Sequence, residues 1–200
     1  MAVTSLELAV LGLLKEGSMH GYELRKRLSV TLGPLYAVSY GSLYPCLKRL
    51  KKSGWVREGA PAVKARRKRA TDDAAKPVRV SRRARKAYEI TPEGERFFFD
   101  QLEQGAEYDT DGDRFQTRFA FFKYLPTDTR LRALEHRKAY LEQKLAEFNE
   151  SLRMTRERMD AYSRSLIDHG VATTQQDIRW LEGLIDQERA VAGGRRRARK

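Results

Sequence analysis

Apolar positions recur at helical spacing in two segments near the start of the chain. The first segment opens with Thr4-Ser5-Leu6-Glu7, a pattern typical of a capping box, and ends at Gly17, a residue type that often stops helices. Its apolar positions are Leu6, Val10, Leu13 and Leu14. The second segment, SMHGYELRKRL, carries Leu24 and Leu28 one turn apart after Ser18, whose hydroxyl can cap a helix. The pattern therefore predicts two short helices separated by a turn.

A third helical pattern lies in VSYGSLYPCLKRLKKSGWV, residues 38–56. Its apolar stripe consists of Leu43, Leu47 and Leu50. Proline is tolerated in the first turn of a helix, where the backbone N–H groups have no partner anyway, so Pro45 predicts a helix that starts near Ser42 with Ser42 as its cap. Gly54 supplies the stop. Three short helices, the last two joined through a turn, have the layout of a helix-turn-helix.

Alternation of apolar and polar residues then predicts two short strands around a basic segment. Trp55-Val56 forms the first strand and Tyr88-Glu89-Ile90 the second, while Thr91-Pro92 is typical of a helix cap followed by proline in the first turn. The strands predict a β-hairpin wing. The connection between them, residues 57–87, exceeds ordinary hairpin loops and has little to bury, so we expect much of it to be disordered without DNA.

The second half of the chain carries apolar residues that step by three and four positions from Leu131 to Leu166. This pattern predicts one long helix that ends at Asp168-His169-Gly170, followed by a second helix with Ile178, Leu181 and Ile185. A single helix cannot bury such a seam, so it packs within an intramolecular bundle, on a partner chain, or on both; we expect a dimer. The candidate dimerisation residues are Leu131, Leu134, Leu141, Leu145, Phe148, Leu152, Met159, Tyr162 and Leu166.

Charge is divided unevenly along this chain of net charge +13. Residues 1–87 hold 20 Lys and Arg against 6 Asp and Glu, a net of +14, whereas residues 88–192 hold 15 against 21, a net of −6. Residues 193–200 add 5 cations and no acid. A chain with one strongly basic half is typical of a protein that binds a polyanion, either nucleic acid or a membrane surface, through that half.

Residues that could carry catalysis or metal binding form no constellation in the sequence. The lone Cys46 lies in the leucine helix, where cysteine is most often a small buried hydrophobe, and the chain fits a reducing compartment. His20, His136 and His169 have no zinc-ligand spacing, and the acidic stretch of residues 109–120 departs from a calcium loop. We therefore expect no metal, no cofactor and no enzyme activity. No apolar run is long enough to cross a membrane, so we expect a cytoplasmic protein that is nucleoid-associated when bound to DNA.

Three motifs in order resemble the PadR family of bacterial transcriptional regulators. They are His20-Gly21-Tyr22-Glu23-Leu24, Gly41-Ser42-Leu43-Tyr44-Pro45 and Tyr88-Glu89-Ile90-Thr91-Pro92-Glu93-Gly94. The resemblance implies a mainly α fold: a winged helix-turn-helix domain with a small β-hairpin wing, followed by a helical, coiled-coil-like dimerisation domain. On this chain we expect these domains at residues 1–108 and 109–192, with a basic disordered tail at 193–200. The insertion at residues 59–81 departs from the family pattern.

A recognition helix places the residues near its start closest to base edges and phosphates in the major groove. The expected DNA-contacting residues lie on that helix, on the helix before it and on the wing. They are Tyr22, Arg25, Ser39, Tyr40, Gly41, Ser42, Tyr44, Lys48, Arg49, Arg83, Arg85, Lys86 and Tyr88. Tyr40 and Tyr44 could equally pack in the core with their hydroxyls at the rim. Among these residues, the lysines and arginines are placed for phosphate contacts.

The resemblance implies a repressor that binds double-stranded operator DNA as a homodimer on an inverted repeat and responds to a small molecule. Phe115, Phe119, Phe122 and Trp180 could line an effector pocket, although packed core is the more ordinary role for each of them. The alternative is a non-specific architectural nucleic-acid binder that depends on the basic insertion and tail. The two differ in sequence preference: a non-specific binder loses affinity for all duplexes alike as salt rises.

Overall fold

Residues 3–33, 38–59, 86–106, 111–153 and 159–197 are described by a computed structural model of the chain. They fall into two units: unit 1 comprises residues 1–102 and 116–121, and unit 2 comprises residues 103–115 and 122–200. The α-helices are α1 (Ser5–Lys15), α2 (Gly21–Thr31), α3 (Tyr40–Lys52), α4 (Pro92–Ala106), α5 (Gly112–Phe119), α6 (Thr127–Arg153) and α7 (Ala161–Arg197). The strands are β1 (Met19–His20), β2 (Val56–Gly59) and β3 (Ala87–Ile90), and Phe122–Tyr124 form a 3₁₀ turn.

Helix α1 lies at the centre of unit 1. Every residue from Glu7 to Leu14 is buried, and all of them except Glu7 are apolar or glycine. Its start confirms the predicted capping box, because the Thr4 hydroxyl accepts from the Glu7 N–H at 3.2 Å and the Glu7 carboxylate accepts from the Thr4 N–H at 3.0 Å. Burial on all sides is expected of a central helix, and α2, α3 and β3 all pack against α1.

Helix α2 begins later than the sequence predicts. The expectation that Ser18 caps it is wrong: the N-cap position is His20, and Met19 and His20 form the short strand β1. Pairing with β3 through the register Met19↔Tyr88 and His20↔Ala87 holds these two residues extended, so the helix cannot start before Gly21. A two-residue strand has too little sequence pattern to be predicted without its partner strand.

Helix α3 begins earlier than predicted. The expectation of a cap at Ser42 is wrong, because Ser39 is the N-cap and its hydroxyl oxygen accepts from the Ser42 N–H at 3.1 Å. Pro45 therefore lies in the second turn, where it removes the donor that would reach the carbonyl of Gly41. Gly41 is exposed, so water can reach that carbonyl. The predicted stop is confirmed: Gly54 has φ +76°, a conformation that glycine adopts without strain.

The three strands form one antiparallel sheet in the order β1-β3-β2, which contains the predicted hairpin wing of β2 and β3. Thr91 joins this sheet to α4. Its N–H donates to the carbonyl of Trp55 at 3.0 Å, its hydroxyl donates to the carbonyl of Gly54 at 2.7 Å, and the same hydroxyl oxygen accepts from the Gly94 N–H at 3.0 Å. The expected Thr91-Pro92 cap is therefore confirmed. Together these observations confirm the expected mainly α fold with a small wing.

In unit 2, α6 and α7 pack against each other in opposite directions. Three ion pairs join the first half of α6 to the second half of α7: Arg130–Glu188 at 2.7 Å, Lys138–Glu182 at 3.1 Å and Arg189–Glu135 at 2.7 Å. Leu134, Leu181 and Ile185 are buried. Unit 2 thus contains an antiparallel helical hairpin.

The prediction of one long helix from Leu131 to Leu166 is wrong. α6 ends at Arg153, and α7 starts at Ala161, where the Asp160 carboxylate accepts from the N–H groups of Tyr162 at 2.8 Å and Ser163 at 3.0 Å. The predicted stop at residues 168–170 lies inside α7, since one helical glycine costs only about 1 kcal/mol. α7 also includes residues 193–197, which the sequence assigned to a disordered tail; residues 198–200 lie outside the described residues.

Most of the basic insertion also lies outside the described residues, which resume at Lys86. No helix in the described parts of the chain has the length and apolar character needed to cross a membrane.

The position of Gly94 generates a stability prediction. A Cβ at Gly94 would lie 2.1 Å from the backbone oxygen of Trp55, which cannot move without breaking the Thr91 junction. We expect Gly94→Ala to lower the free energy of unfolding of unit 1 by about 2–3 kcal/mol. Urea unfolding followed by tryptophan fluorescence in a Trp180→Phe background measures this, because Trp55 then reports alone.

Gly41→Ala is the matched control in the same unit, since a Cβ at that helical position meets only the Ser39 hydroxyl oxygen at 3.5 Å. It should leave the stability unchanged or raise it by up to about 1 kcal/mol. Equal losses in the two variants would contradict the close contact between Gly94 and Trp55.

Candidate DNA-binding surface

Helix α3 divides sharply into a buried face and an exposed face. Its buried residues are Leu43, Cys46, Leu47 and Leu50, each at most 1% exposed. The predicted leucine stripe is therefore confirmed, and Cys46 joins it. Burial, with a smaller contribution from the Glu7 carboxylate, raises the pKa of the Cys46 thiol to about 12, so the thiol stays protonated and behaves as an apolar group. The opposite face carries hydroxyl, aromatic and cationic side chains toward solvent.

Arg25 of α2 is held against the start of α3 by two contacts. Its Nε donates to the carbonyl of Val38 at 2.9 Å, and its guanidinium lies 4.4 Å from the centre of the Tyr40 ring. The Tyr40 ring is in turn stacked with that of Tyr44, at 6.0 Å and 20° between planes. The side chain of Arg25 remains exposed. Arg25 is thus held through its Nε and by the face of an aromatic ring. Its terminal N–H groups remain available to a ligand in one fixed orientation.

The position of the Tyr44 ring accounts for the small residue at position 21 in the first motif. A Cβ at Gly21 would approach the Tyr44 hydroxyl oxygen to 3.3 Å, so the tyrosine ring lies over the start of α2.

His20, the residue before Gly21, occupies the N-cap position without a side-chain cap bond, and its Nδ1 is buried with no hydrogen-bond partner in the described part of the chain. Tyr22, two residues on, is 68% exposed. Tyr40 and Tyr44 are both partly exposed, so each ring packs on the domain with one part and faces solvent with the other.

Ser39 and Ser42 form a small hydroxyl cluster at the start of α3. Their Oγ atoms lie 3.1 Å apart, and the Ser42 hydroxyl donates to the carbonyl of Ser39 at 3.0 Å. Both residues and Gly41 are exposed. The expected contact residues at this end are therefore brought together on one surface.

Lys48 and Arg49 differ in their environment although they are neighbours. Lys48 is exposed, and its ammonium group contacts no acid or ring within the residues that the structure describes. Arg49 donates through Nε to the Glu7 carboxylate at 2.8 Å. Burial would raise the pKa of Glu7, but hydrogen bonds from the Thr4 backbone and from Arg49 outweigh it and hold that pKa below its usual range. Arg49 therefore ties α3 to the start of α1 as well as carrying charge.

The described part of the wing contains one exposed cation and one buried tyrosine from the expected set. Lys86 is exposed and forms an ion pair with Glu58 at 3.1 Å. Tyr88 is only 7% exposed; burial, together with the charge of Glu58, raises its pKa. Such a side chain offers little surface to DNA. Arg83 and Arg85 lie outside the described residues.

Acidic residues that sequence reasoning missed shape this surface. Glu58 of β2 accepts from Lys51 of α3 at 2.5 Å as well as from Lys86, and Glu89 of β3 accepts from Arg57 of β2 at 2.5 Å. Cross-strand register brings Arg57 opposite Glu89, a pairing that the hairpin pattern could have indicated. The contact between Lys51 and Glu58 depends on how α3 packs against the sheet.

The four predicted pocket residues do not all belong to the same unit. In unit 2, Phe115 and Phe122 are buried and pack edge to face at 6.1 Å, while Trp180 is partly exposed. Phe119 falls in unit 1. None of them lines any of three cavities in the described residues, which measure about 880 Å³ between α6 and α7, about 800 Å³ beside α2, and about 410 Å³ among charged residues of α6 and α7. The described residues also contain no cluster of three or more His, Cys, Asp or Glu that could hold a metal ion.

A helix pair whose second helix presents a polar and cationic face, followed by an antiparallel hairpin, defines the winged helix-turn-helix class. The model of the transcriptional regulator PadR-like family matches residues 10–73. The match includes the first two sequence motifs and confirms the resemblance that they carry.

Solved structures similar to the chain include a transcriptional regulator from Clostridium thermocellum, with 25% identity over 50% of this chain and 78% of that chain at a TM-score of 0.37. Bacillus subtilis PadR in complex with operator DNA shares 20% identity over 92% and 99% of the chains at a TM-score of 0.40. The same protein in complex with p-coumaric acid shares 19% over 92% and 99%, also at 0.40. No curated protein matches the chain.

The ion pair between Glu7 and Arg49 generates a pH-dependent prediction. Because the folded pKa of Glu7 lies below the ordinary carboxyl value of 4.5, its ionised form stabilises the fold above that value, and this stabilisation is lost as the pH falls through the folded pKa. We expect Glu7→Gln to lower the free energy of unfolding by about 1–2 kcal/mol at pH 7. Urea unfolding at pH 7, 5 and 3.5 measures the difference, which should shrink toward the lowest pH. A loss that is constant over this range would contradict an ionised Glu7 in the fold.

Proposed function

We propose that the chain is a sequence-specific, DNA-binding transcriptional repressor that acts as a homodimer on an inverted-repeat operator and responds to a small molecule. The observation that supports DNA reading most directly is the exposed face of α3. That face presents hydroxyls at the N-terminus, the Arg25-Tyr40-Tyr44 stack beside them and Lys48 farther along. Side chains at the start of a recognition helix reach base edges in the major groove, and cations along it bind phosphate. These contacts with DNA need no catalytic group. The protein would act in the cytoplasm, where the nucleoid lies.

A homodimer supplies two such helices related by two-fold symmetry, which an inverted repeat matches. Unit 2 supports this part of the proposal because α6 and α7 leave large apolar side chains uncovered. Phe148 is partly exposed, Leu166 is 72% exposed and Tyr162 is 89% exposed, and all three belong to the predicted dimerisation set. The cavity of about 880 Å³ between α6 and α7 has the size of a small-molecule site and is lined mainly by apolar residues, among them Leu141, Leu145 and Phe148. An effector there would change the dimer and hence the spacing of the recognition helices.

The test is selection of duplexes from a random-sequence library, followed by fluorescence anisotropy of the selected duplex and a shuffled one across a salt series. A specific regulator binds the selected duplex tighter by about 10³-fold or more. Equal affinities that fall together with salt would favour the non-specific architectural binder, which the high positive charge of residues 1–87 would drive.

Arg25→Lys tests the preorganised guanidinium. Lysine keeps the charge but loses the bond to the Val38 carbonyl and the planar stack on Tyr40, so we expect affinity for the selected duplex to fall by about 10-fold. Lys26→Arg is the control on the next residue, which is exposed and also cationic. Anisotropy at fixed salt measures both variants. Unchanged affinity in Arg25→Lys would show that the charge alone matters.

Leu166→Glu tests the dimer. A charge on this exposed apolar face is costly to bury against a second copy, so sedimentation velocity should show a shift from dimer to monomer at micromolar concentration. Gln175→Glu is the matched control: it adds the same charge nine residues later, on the opposite side of α7, at an exposed position. A dimer that survives Leu166→Glu, or is lost equally in both variants, would contradict an interface on this face.

A further inference from the structure

Glu58 occupies a position on the hairpin unlike that of the other described acids of unit 1. Its carboxylate bridges two ammonium groups from different elements: Lys51 Nζ lies 2.5 Å from Oε1, and Lys86 Nζ lies 3.1 Å from Oε2. Lys51 belongs to the last turn of α3, and Lys86 immediately precedes β3. The carboxylate therefore joins the recognition helix to the base of the wing.

Both lysines lie where a winged helix meets the DNA backbone. The recognition helix enters the groove and the wing lies over neighbouring phosphates, so cations at the junction of the two elements face phosphate oxygens. A carboxylate and a phosphate offer ammonium groups the same kind of acceptor, namely an anionic oxygen. Hydrogen bonds from Lys51 and then Lys86 hold the pKa of Glu58 below its usual range, so it is ionised at neutral pH.

We propose that Glu58 is an intramolecular competitor of DNA phosphate: it occupies the position between Lys51 and Lys86 that a backbone phosphate takes when DNA binds. The inference rests on the proposed function. Exposed ion pairs of this kind are individually weak, so DNA can displace the carboxylate. Glu58 thereby lowers the sequence-independent, electrostatic part of DNA affinity.

Two other ion pairs of unit 1 serve as internal contrasts. Glu7, which binds Arg49, is buried and caps α1, so it stabilises the fold. Within the described part of the hairpin, Glu89 pairs with Arg57 alone, at 2.5 Å. Because successive residues of a strand point to opposite faces, Arg57 and Glu89 lie on the face opposite Glu58. Among the acids that the structure describes, only Glu58 is paired with a lysine of α3.

Glu58→Gln tests the proposal, with Glu89→Gln as the matched control that removes the same charge from the opposite face of the hairpin. Affinity for a shuffled 20-base-pair duplex is measured by anisotropy from 50 to 300 mM salt. We expect Glu58→Gln to bind about 3- to 10-fold tighter than the unmodified chain at about 0.1 M salt. The slope of log K against log salt should become steeper by up to about 1.8, corresponding to two lysines released to phosphates. Glu89→Gln should change each quantity by less than half as much.

A second variant set separates release of the lysines from a general change in charge. In a Lys51→Gln/Lys86→Gln background, adding Glu58→Gln should leave affinity and slope unchanged, because no cation remains to be released. Thermal unfolding by circular dichroism checks that each variant folds. Equal effects of Glu58→Gln and Glu89→Gln, or an undiminished gain in the double-lysine background, would overturn the proposal. Failure of the proposed function is distinguishable, because it shows as equal affinity of the unmodified chain for selected and shuffled duplexes.

Discussion

Burial of one side of α3 is the constraint on which the surface of unit 1 depends. Leu43, Leu47 and Leu50 lie in the core formed with α1, so the rotation of α3 about its axis is fixed. The same burial decides which residues of α3 face solvent. Arg49 reinforces this orientation from the edge of the helix, because it binds a carboxylate that also caps α1. The exposed face is thus a consequence of core packing, and its side chains need no contacts of their own to be presented.

The number of cations that this surface can offer to a polyanion depends on their ion pairs as well as on their positions. Lys48 is unpaired among the described residues, Arg25 is held by a carbonyl and a ring, and Arg49 and Lys51 are engaged by acids. Counting basic residues therefore overstates how many are available to a polyanion. A regulator that must leave non-specific DNA benefits from such pairing, since each unpaired cation adds affinity for every sequence. The two acids differ in their contacts: Glu7 caps α1 and binds Arg49, whereas Glu58 of β2 binds two lysines.

The sequence predicted those elements whose signals are local. The capping box at Thr4, the leucine stripe of α3 and the Thr91 cap all depend on residues within one or two turns, and all three are present. The sequence predicts the start of α3 one turn too late, because Pro45 is typical of the first turn of a helix but lies in the second turn here. Strand β1 was missed because only pairing with β3 makes residues 19 and 20 extended.

In unit 2, a spacing of three and four residues persists across a break, so periodicity alone cannot show where α6 ends. The Asp160 cap marks the start of α7, but an aspartate within an apparently continuous pattern is a weak signal. For the candidate site, the tyrosines, serines and Arg25 at the start of α3 were predicted and lie together. The acids that engage the cations were not predicted, because their contacts join residues from different elements.

The most direct measurement of whether α3 reads DNA is binding to the selected duplex after modification of its major groove. Guanines are methylated at N7, or thymines are replaced by uracil, and both changes leave the minor groove and the phosphates intact. A recognition helix in the major groove predicts loss of binding at particular positions in each half of the site. Binding that is unaffected by modification at every position, with affinity for the unmodified duplex retained, would contradict the placement of α3 in that groove.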